Sequence, residues 1–172
     1  MKSLESAQVK QLLEILQKKP AQRIVHFSEE SNIITPNLLQ FCEENENIYY
    51  LYCTNDTSFE SYSNLYKEHP SIVIRNFKLE RPRYLVQAIE FDYLLSTLNF
   101  EGKDKSAFLE KCYPIIRTGG NIILMIPNSG YEERDEWRDI LEEQYYVSVN
   151  IIDDIFDTFD VIVAKRMHGW GN

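Results

Sequence analysis

Short apolar segments alternate with helical patterns between residues 23 and 128, and this alternation constrains the fold more than any other feature of the sequence. The apolar segments are RIVHF, IYYLYCT, SIVIRNF, FDYLLSTL and NIILMIPN. They are apolar along most of their length rather than at every second position, which is typical of strands buried on both faces of a parallel sheet. Because parallel neighbours need crossover connections, the alternation predicts right-handed βαβ units and a doubly wound α/β sheet.

Helical segments separate the apolar ones. They are TPNLLQFCEENEN, TSFESYSNLYKEH, ERPRYLVQAIE and DKSAFLEKCYPIIRT. Thr35 and the proline after it predict an N-cap followed by proline at the first helical position, and Thr57 or Ser58 is the expected cap of the next helix. Gly119 and Gly120 follow the last segment, where the end of a helix favours a residue with positive φ.

The last third of the chain departs from this alternation. A strongly polar helical segment, YEERDEWRDILEEQYY, precedes two more apolar segments, VSVNII and DVIVAKR. The few residues between these two segments cannot form a crossover helix, so the segments should pair as an antiparallel hairpin at one edge of the sheet. The sequence therefore predicts a three-layer, doubly wound, mostly parallel seven-stranded sheet with an antiparallel C-terminal edge strand.

The length of 172 residues suits a single α/β domain spanning residues 1–172. Within residues 1–20, apolar side chains recur at the spacing of an amphipathic helix, which we expect to pack on the sheet. This segment lacks the unbroken apolar core of a signal peptide, and no apolar run in the chain approaches the roughly 18 residues of a membrane span. The sequence predicts a cytoplasmic protein that does not associate with membranes.

Charge and cysteine content exclude several kinds of partner. The formal net charge of −9 disfavours broad nucleic-acid binding, because contact with phosphates draws its affinity from Lys and Arg. Cys42, Cys53 and Cys112 are odd in number and scattered, which predicts buried thiols rather than a disulfide framework or a zinc site. The carboxylates of IIDDIFDTFD lack the glycine-centred loop of a calcium site and are expected in a solvated turn. No metal site is predicted.

Three stretches in the second half resemble the class I S-adenosylmethionine-dependent methyltransferases. FDYLLSTLNFE is similar to the fourth strand of that family, FLEKCYPIIRTGGNIILMIPN to its following helix, Gly-Gly turn and fifth strand, and FDVIVAKR to its final edge strand. The resemblance implies a methyltransferase-like Rossmann fold, S-adenosylmethionine as the cofactor and an unknown methyl acceptor. It assigns no catalytic residue.

In this family the loops after the first four strands surround the cofactor. The first loop contacts its methionine part, an acidic residue after the second strand holds the ribose, and residues after the third strand lie near the adenine. The resemblance implies contacts from Ser28, Glu29 and Asn32 after the first strand, Asp56 after the second, Asn76 and Phe77 after the third, and Ser96 in the fourth segment. A turn residue at Asp56 and a core aromatic at Phe77 are the alternatives.

The loop after the first strand departs from the family pattern. It reads HFSEESN and contains no glycine, whereas the family brings its backbone close to the cofactor through a Gly-x-Gly turn. Glu29 and Glu30 would also bring negative charge near the cofactor's carboxylate. Two alternatives to an active methyltransferase therefore remain: a non-catalytic scaffold that acts through protein–protein interaction, and an enzyme that uses another metabolite in the same crevice.

The C-terminal tail, RMHGWGN, places His168 and Trp170 at the end of the chain. A tryptophan is costly to leave in water, so we expect Trp170 to pack on its own chain or on a partner subunit. The second arrangement would make the protein a homo-oligomer.

Overall fold

The computed structural model describes residues 4–30, 32–128 and 130–167, which form one seven-stranded sheet with helices on both faces. The strands are β1 (Arg23–Ser28), β2 (Ile48–Cys53), β3 (Ile72–Asn76), β4 (Phe91–Ser96), β5 (Ile116–Pro127), β6 (Tyr146–Ile152) and β7 (Phe159–Arg166). The α-helices are α1 (Ser6–Leu13), α2 (Ile34–Glu44), α3 (Asp56–Leu65), α4 (Lys105–Cys112) and α5 (Tyr131–Glu143), and a short 3₁₀-helix (Tyr113–Ile115) follows α4.

The strand order across the sheet is β3-β2-β1-β4-β5-β7-β6. Strands β1 to β5 pair in parallel, and β7 pairs antiparallel with both β5 and β6. This confirms the predicted doubly wound sheet and its antiparallel C-terminal hairpin. Within that hairpin β6 is the outermost strand, because the C-terminal strand β7 inserts between β5 and β6.

Two predicted helix caps are wrong. Helix α2 begins one residue before Thr35, whose side chain is buried, and the Asn32 side chain accepts a hydrogen bond of 2.9 Å from the Ile34 amide. Helix α3 is capped by Asn55, whose side-chain oxygen accepts from the two amides that follow Asp56. At α3 an asparagine takes the role, since its side-chain oxygen reaches the unpaired amides of a first turn. The N-cap of α2 is Ile33, which has no side-chain cap, and the Asn32 hydrogen bond comes from the residue before it.

The predicted helix between β3 and β4 is also wrong. Residues 77–90 contain only turns, bends and irregular backbone. Gln87 and Ala88 have φ values of 53° and 57°, and two successive residues in this left-handed region cannot belong to an α-helix. The segment packs Tyr84 and its apolar neighbours against the sheet, so it covers the area that a helix would cover.

The Gly-Gly pair does not end a helix. Helix α4 ends at Cys112, and Gly119 and Gly120 lie within β5, where the register with β4 shifts. A Cβ at Gly120 would lie 2.9 Å from the carbonyl oxygens of Arg117 and Asp92. At Gly120 glycine is therefore required by the close approach of these backbone oxygens. Gly119 has the expected positive φ, of 80°, but within a strand and not at a helix C-terminus.

Each face of the sheet has its own core. Helices α1, α2 and α3 cover one face, while α4, α5 and residues 77–90 cover the other. All three cysteines are buried, as predicted, and burial raises the pKa of Cys42 to about 12 and that of Cys53 to about 11. Among the described residues, no helix combines the length and the apolar character that a bilayer crossing requires.

Candidate functional site

The carboxyl ends of the parallel strands meet at one edge of the sheet, and the candidate site lies there. Strand β1 lies between β2 and β4, so the connections that leave β1 and β4 diverge to opposite faces of the sheet. Open α/β sheets hold their ligands in the crevice that such a divergence creates. The loops after β1 and β4 therefore form the two walls of the crevice.

An ion pair spans this crevice. Glu29 Oε1, in the loop after β1, accepts hydrogen bonds from Lys103 Nζ at 2.8 Å and from the Asn99 amide at 3.1 Å, both in the loop after β4. Lys103 also donates to the Asn99 carbonyl. The two charged side chains are each about one-third exposed, at 32% and 33%. We call this contact the Glu29–Lys103 clasp, since it ties one wall of the crevice to the other.

Hydrogen bonds also fix the backbone of the loop after β1. Ser28 is buried, and its hydroxyl donates to the Glu30 carbonyl at 2.9 Å. The Ser58 hydroxyl, in α3, donates to the Glu29 carbonyl at 2.7 Å, and the Thr54 amide donates to the Ser28 carbonyl at 3.0 Å. Side chains thus stabilise a turn that glycines form in the family this chain resembles.

Asp56 and Asn76, at the ends of β2 and β3, lie together as the site hypothesis requires. Asp56 Oδ1 accepts from Lys78 Nζ and from Asn76 Nδ2, each at 2.8 Å. These two hydrogen bonds lower the pKa of Asp56, whose side chain is 72% exposed. An ionised, accessible carboxylate at this place can accept hydrogen bonds from a pair of hydroxyl groups.

Phe77 and Ser96 lie inside the protein instead. The Phe77 ring stacks on Tyr52 with 4.6 Å between centroids, and Arg81 lies over it at 4.9 Å. Its side chain is 1% exposed, so its faces are occupied by other side chains. The buried Ser96 hydroxyl accepts from the Leu98 amide at 3.3 Å, which shapes the start of the loop after β4.

Three buried polar side chains are hydrogen-bonded beneath the crevice, and their pairing could not be predicted from the sequence. The Thr97 hydroxyl lies 2.9 Å from His26 Nε2, and His26 Nδ1 lies 2.7 Å from the Tyr49 hydroxyl. Burial lowers the pKa of His26 to about 3, so the imidazole is neutral at physiological pH. Only the pairing of β1 with its neighbours brings these three residues together, and no spacing in the sequence reveals it.

Two cavities adjoin the clasp. The first, of about 220 Å³, is lined by Glu29 and by Thr97, Leu98, Met125 and Phe159; we call it the crevice cavity. The second, of about 270 Å³, is lined by Lys103 and by Tyr84, Phe100 and Phe108; we call it the aromatic cavity. One partner of the clasp lines each cavity, so the ion pair stands between them.

The acidic stretch near the C-terminus is not uniformly solvated, contrary to the expectation from its composition. Asp160 is fully buried and accepts two hydrogen bonds, of 2.8 and 2.9 Å, from the guanidinium of Arg134. Within residues 4–30, 32–128 and 130–167, no group of three or more His, Cys, Asp or Glu side chains is arranged to hold a metal ion. The predicted contacts of His168 and Trp170 lie outside the described residues.

Comparison with known proteins finds likeness in structure only. No family model matches the chain, and no curated protein matches it. A SAM-dependent O-methyltransferase from Thermotoga maritima is similar over the whole chain and 69% of its own length, with 13% identity and a TM-score of 0.74. The CurJ carbon methyltransferase (13% identity, TM-score 0.73) and the CMeT domain of the citrinin polyketide synthase (14%, 0.75) match 92% and 94% of the chain.

The chain spans about half the length of the CurJ and citrinin structures, 52% and 51% respectively. At these sequence identities the likeness concerns the fold, and it confirms the fold that the sequence predicted.

Proposed function

We propose that this chain, which has the class I methyltransferase fold, binds S-adenosylmethionine at the carboxyl edge of its sheet and is a methyltransferase. The observation that carries the proposal is the pair of cavities on the two sides of the Glu29–Lys103 clasp, at the divergence of β1 and β4. Their volumes of about 220 and 270 Å³ would together give a crevice in the size range of ligand pockets, roughly 300 to 1,000 Å³.

The ribose end of the cofactor fits the residues present. Asp56 is exposed and ionised, and its Oδ1 is already oriented by Lys78 and Asn76. Its second oxygen, Oδ2, has no hydrogen-bond partner among the described residues. A carboxylate held in this way would accept hydrogen bonds from the ribose hydroxyls without first having to be ordered.

The amino-acid end does not fit while the clasp is closed, because the Glu29 carboxylate would face the carboxylate of the cofactor. Opening the clasp changes this relation. Glu29 would then accept hydrogen bonds from the ammonium group of the ligand, and the released Lys103 would pair with its carboxylate. The ion pair within the protein would thus be exchanged for two ion pairs with a zwitterion. When bound, the cofactor supplies an electrophilic methyl group.

Calorimetric titration of the full chain with S-adenosylmethionine and S-adenosylhomocysteine tests the proposal. We expect binding at micromolar strength, and a loss of about tenfold or more in Glu29→Gln and in Lys103→Ala, since each removes a charged partner. Lys67→Ala and Glu68→Gln are the controls. They make the same charge changes on the exposed turn before β3, at the opposite edge of the sheet, and should leave affinity unchanged.

A second candidate function is favoured by the closed clasp itself. If the clasp stays closed, the protein would be a non-catalytic scaffold that keeps the sheet and acts through a protein partner. The same titration separates the two candidates. Absence of heat with both ligands, from wild-type protein and clasp variants shown to be folded, would reject the methyltransferase and leave the scaffold. Wild-type binding that neither clasp variant weakens would reject the role given to Glu29 and Lys103.

A further inference from the structure

A polar cavity of about 280 Å³ lies at the amino ends of the parallel strands, at the opposite edge of the sheet from the crevice. The segment before β1, the start of β4, the first part of β5 and the end of β7 bound it. We call it the amino-edge cavity. Apart from Tyr93 and two glycines, every residue that lines it has a polar or charged side chain. Such a lining favours a ligand that is charged or rich in hydrogen-bonding groups over an apolar one.

An irregularity in β5 forms one wall of this cavity. The pairing of β5 with β4 passes from Ile116 directly to Asn121, so residues 117–120 lie opposite the single residue Asp92. These four residues have no Cα partner on β4 or on β7 within the described part of the chain. All four of them line the cavity. The wall is therefore a bulge of the strand itself, which a regular ladder between β4 and β5 would remove.

Hydrogen bonds of a buried side chain hold another wall, the segment before β1. Gln22 is 2% exposed, and its Nε2 group donates to the carbonyl of Gln17 at 2.8 Å and to that of Lys19 at 3.1 Å. The Gln17 amide donates to the Tyr93 hydroxyl at 3.2 Å. The backbone that carries the Lys19 side chain is thus ordered before a ligand arrives, which lowers the entropic cost of binding.

The amino-edge cavity is positively charged, although the chain has a formal net charge of −9. One carboxylate, that of Asp92, lines it together with three cations, which are Lys19, Arg117 and Lys165. Both oxygens of Asp92 are occupied, since Oδ1 accepts from Arg117 at 3.0 Å and Oδ2 accepts from the Arg23 amide at 2.9 Å. Neither lysine has a carboxylate within ion-pair distance among the described residues. Two positive charges therefore remain uncompensated around one cavity.

We propose that the amino-edge cavity binds the doubly charged phosphate group of a small phosphate monoester whose remaining part is polar. The ammonium groups of Lys19 and Lys165 balance the charge of the phosphate, and Arg117, which gives one donor to Asp92, has further donors for it. The volume approaches the lower limit of small-molecule sites, roughly 300 Å³, so the cavity has room for more than the phosphate. The amide and hydroxyl side chains of the lining would bind hydroxyl groups of the ligand.

This site goes beyond the proposed function, since it lies at the other edge of the sheet and requires neither S-adenosylmethionine nor an open clasp. Nuclear magnetic resonance of the nitrogen-15-labelled full chain tests it, with glucose 6-phosphate as the probe and without S-adenosylmethionine. The backbone amides of Gly119 and Gly120 report from the bulge. The titration is made at about pH 8, where a phosphate monoester with a second pKa of about 6 is doubly charged, and at constant ionic strength.

We expect glucose 6-phosphate to shift the Gly119 and Gly120 amides in a saturable way and to leave the amides of Glu29 and Lys103, in the crevice, unchanged. Glucose lacks only the phosphate and should cause no saturable shift. Inorganic phosphate lacks the polar body and should bind about tenfold more weakly than glucose 6-phosphate.

Two charge-removing variants place the binding in the cavity. Lys19→Gln and Lys165→Gln should each weaken glucose 6-phosphate by about tenfold, because each removes a charged partner of the phosphate. Lys18→Gln is the matched control. It makes the same charge change one residue away, at a side chain that does not line the amino-edge cavity, and should leave affinity unchanged.

Four outcomes would overturn the proposal: no shift with glucose 6-phosphate, equal affinity for glucose, binding that neither Lys19→Gln nor Lys165→Gln weakens, or inorganic phosphate bound as tightly as the monoester. Failure here leaves the proposed function untouched, because the cofactor is absent from the titration. Saturable binding at the bulge, by a protein that gives no heat with S-adenosylmethionine, would reject the proposed function and leave this site standing.

Discussion

The two faces of the sheet are stabilised in different ways, and two successive residues of β1 show the difference. Phe27 faces the side of α4 and α5, where four aromatic rings surround it at centroid distances of 5.3 to 5.8 Å. His26 faces the side of α2, where both of its ring nitrogens have hydrogen-bond partners. Alternation along a strand thus places an apolar cluster and a buried polar chain back to back.

The polar chain connects the two walls of the crevice from below. It starts at Thr97, in the loop after β4, and continues through His26 and Tyr49. From Tyr49 it passes to Thr35 and then to Tyr62. The Tyr62 hydroxyl accepts a hydrogen bond from the Asn32 amide, in the loop after β1. The aromatic cluster tolerates small displacements, because dispersion contacts have no fixed direction. The polar chain requires each partner in place, so it fixes the two loops relative to each other.

The largest expected effect is on the aromatic side. Phe27→Ala should lower the free energy of unfolding by about 3 to 5 kcal/mol, since it removes a fully buried ring and leaves a cavity among its neighbours. Urea denaturation measures the loss. Leu65→Ala, at a side chain that is 69% exposed, is the control and should change stability by no more than about 0.5 kcal/mol. A small loss at Phe27 would mean that the cluster relaxes to fill the space.

The polar side should show its character in the pH dependence of stability. The pKa of His26 is about 3 in the folded protein and 6.5 as its ordinary value, so the unfolded chain takes up this proton first. The contribution of neutral His26 to the free energy of unfolding is therefore intact above pH 6.5 and is lost as the pH falls toward 3. Between pH 6.5 and pH 4 the loss should be roughly 3 kcal/mol, at about 1.4 kcal/mol per pH unit.

His26→Gln isolates this contribution, because the carboxylates that titrate in the same range are common to both proteins. The difference in unfolding free energy between wild type and variant should shrink or reverse as the pH falls. Parallel pH profiles for the two proteins would show that the pKa of His26 is not lowered in the folded state.

The sheet could be predicted from the sequence because its information is local. Buried parallel strands appear as short apolar runs, and the number of residues between runs distinguishes a crossover from a hairpin. The helix predicted over ERPRYLVQAIE failed, since this segment packs Tyr84, Val86 and Ile89 on the sheet as irregular backbone, with positive φ values at the exposed Gln87 and Ala88. The Gly-Gly pair failed for a similar reason, because the backbone that approaches Gly120 at Asp92 belongs to another strand.

The candidate site could be predicted only as a location. The ends of the parallel strands do meet at one edge, so Glu29, Asp56 and Asn76 lie there as expected. Which atoms pair could not be inferred, since Glu29 and Lys103 are 74 residues apart and meet only through the order of β1 and β4. Phe77 shows the same limit. From the sequence, an aromatic residue at a strand end can either stack on the adenine base of a cofactor or pack in the core. The packing of residues 77–90 places Phe77 in the core.

A matched pair of tyrosines on β2 sharpens the comparison of the two faces at smaller magnitude. Tyr49→Phe removes the hydroxyl partner of His26 and should cost about 1 to 3 kcal/mol, because a buried imidazole nitrogen is left unpaired. Tyr52 faces the aromatic cluster, and its hydroxyl makes no hydrogen bond within the described part of the chain. Tyr52→Phe should therefore be nearly neutral. Thermal or urea denaturation compares the two, and equal losses would remove the distinction between the faces.

The smallest expected effect concerns the clasp. Glu29 and Lys103 are partly exposed, and ion pairs of that kind contribute about 0.2 to 1 kcal/mol, so Glu29→Gln should destabilise the protein by no more than about 1 kcal/mol. Glu68→Gln is the control in the same urea denaturation. A ligand bound at micromolar strength releases about 8 kcal/mol, which is ample to open so weak a contact. A loss above about 2 kcal/mol in Glu29→Gln would instead make the clasp a structural element, and would favour the scaffold over the methyltransferase.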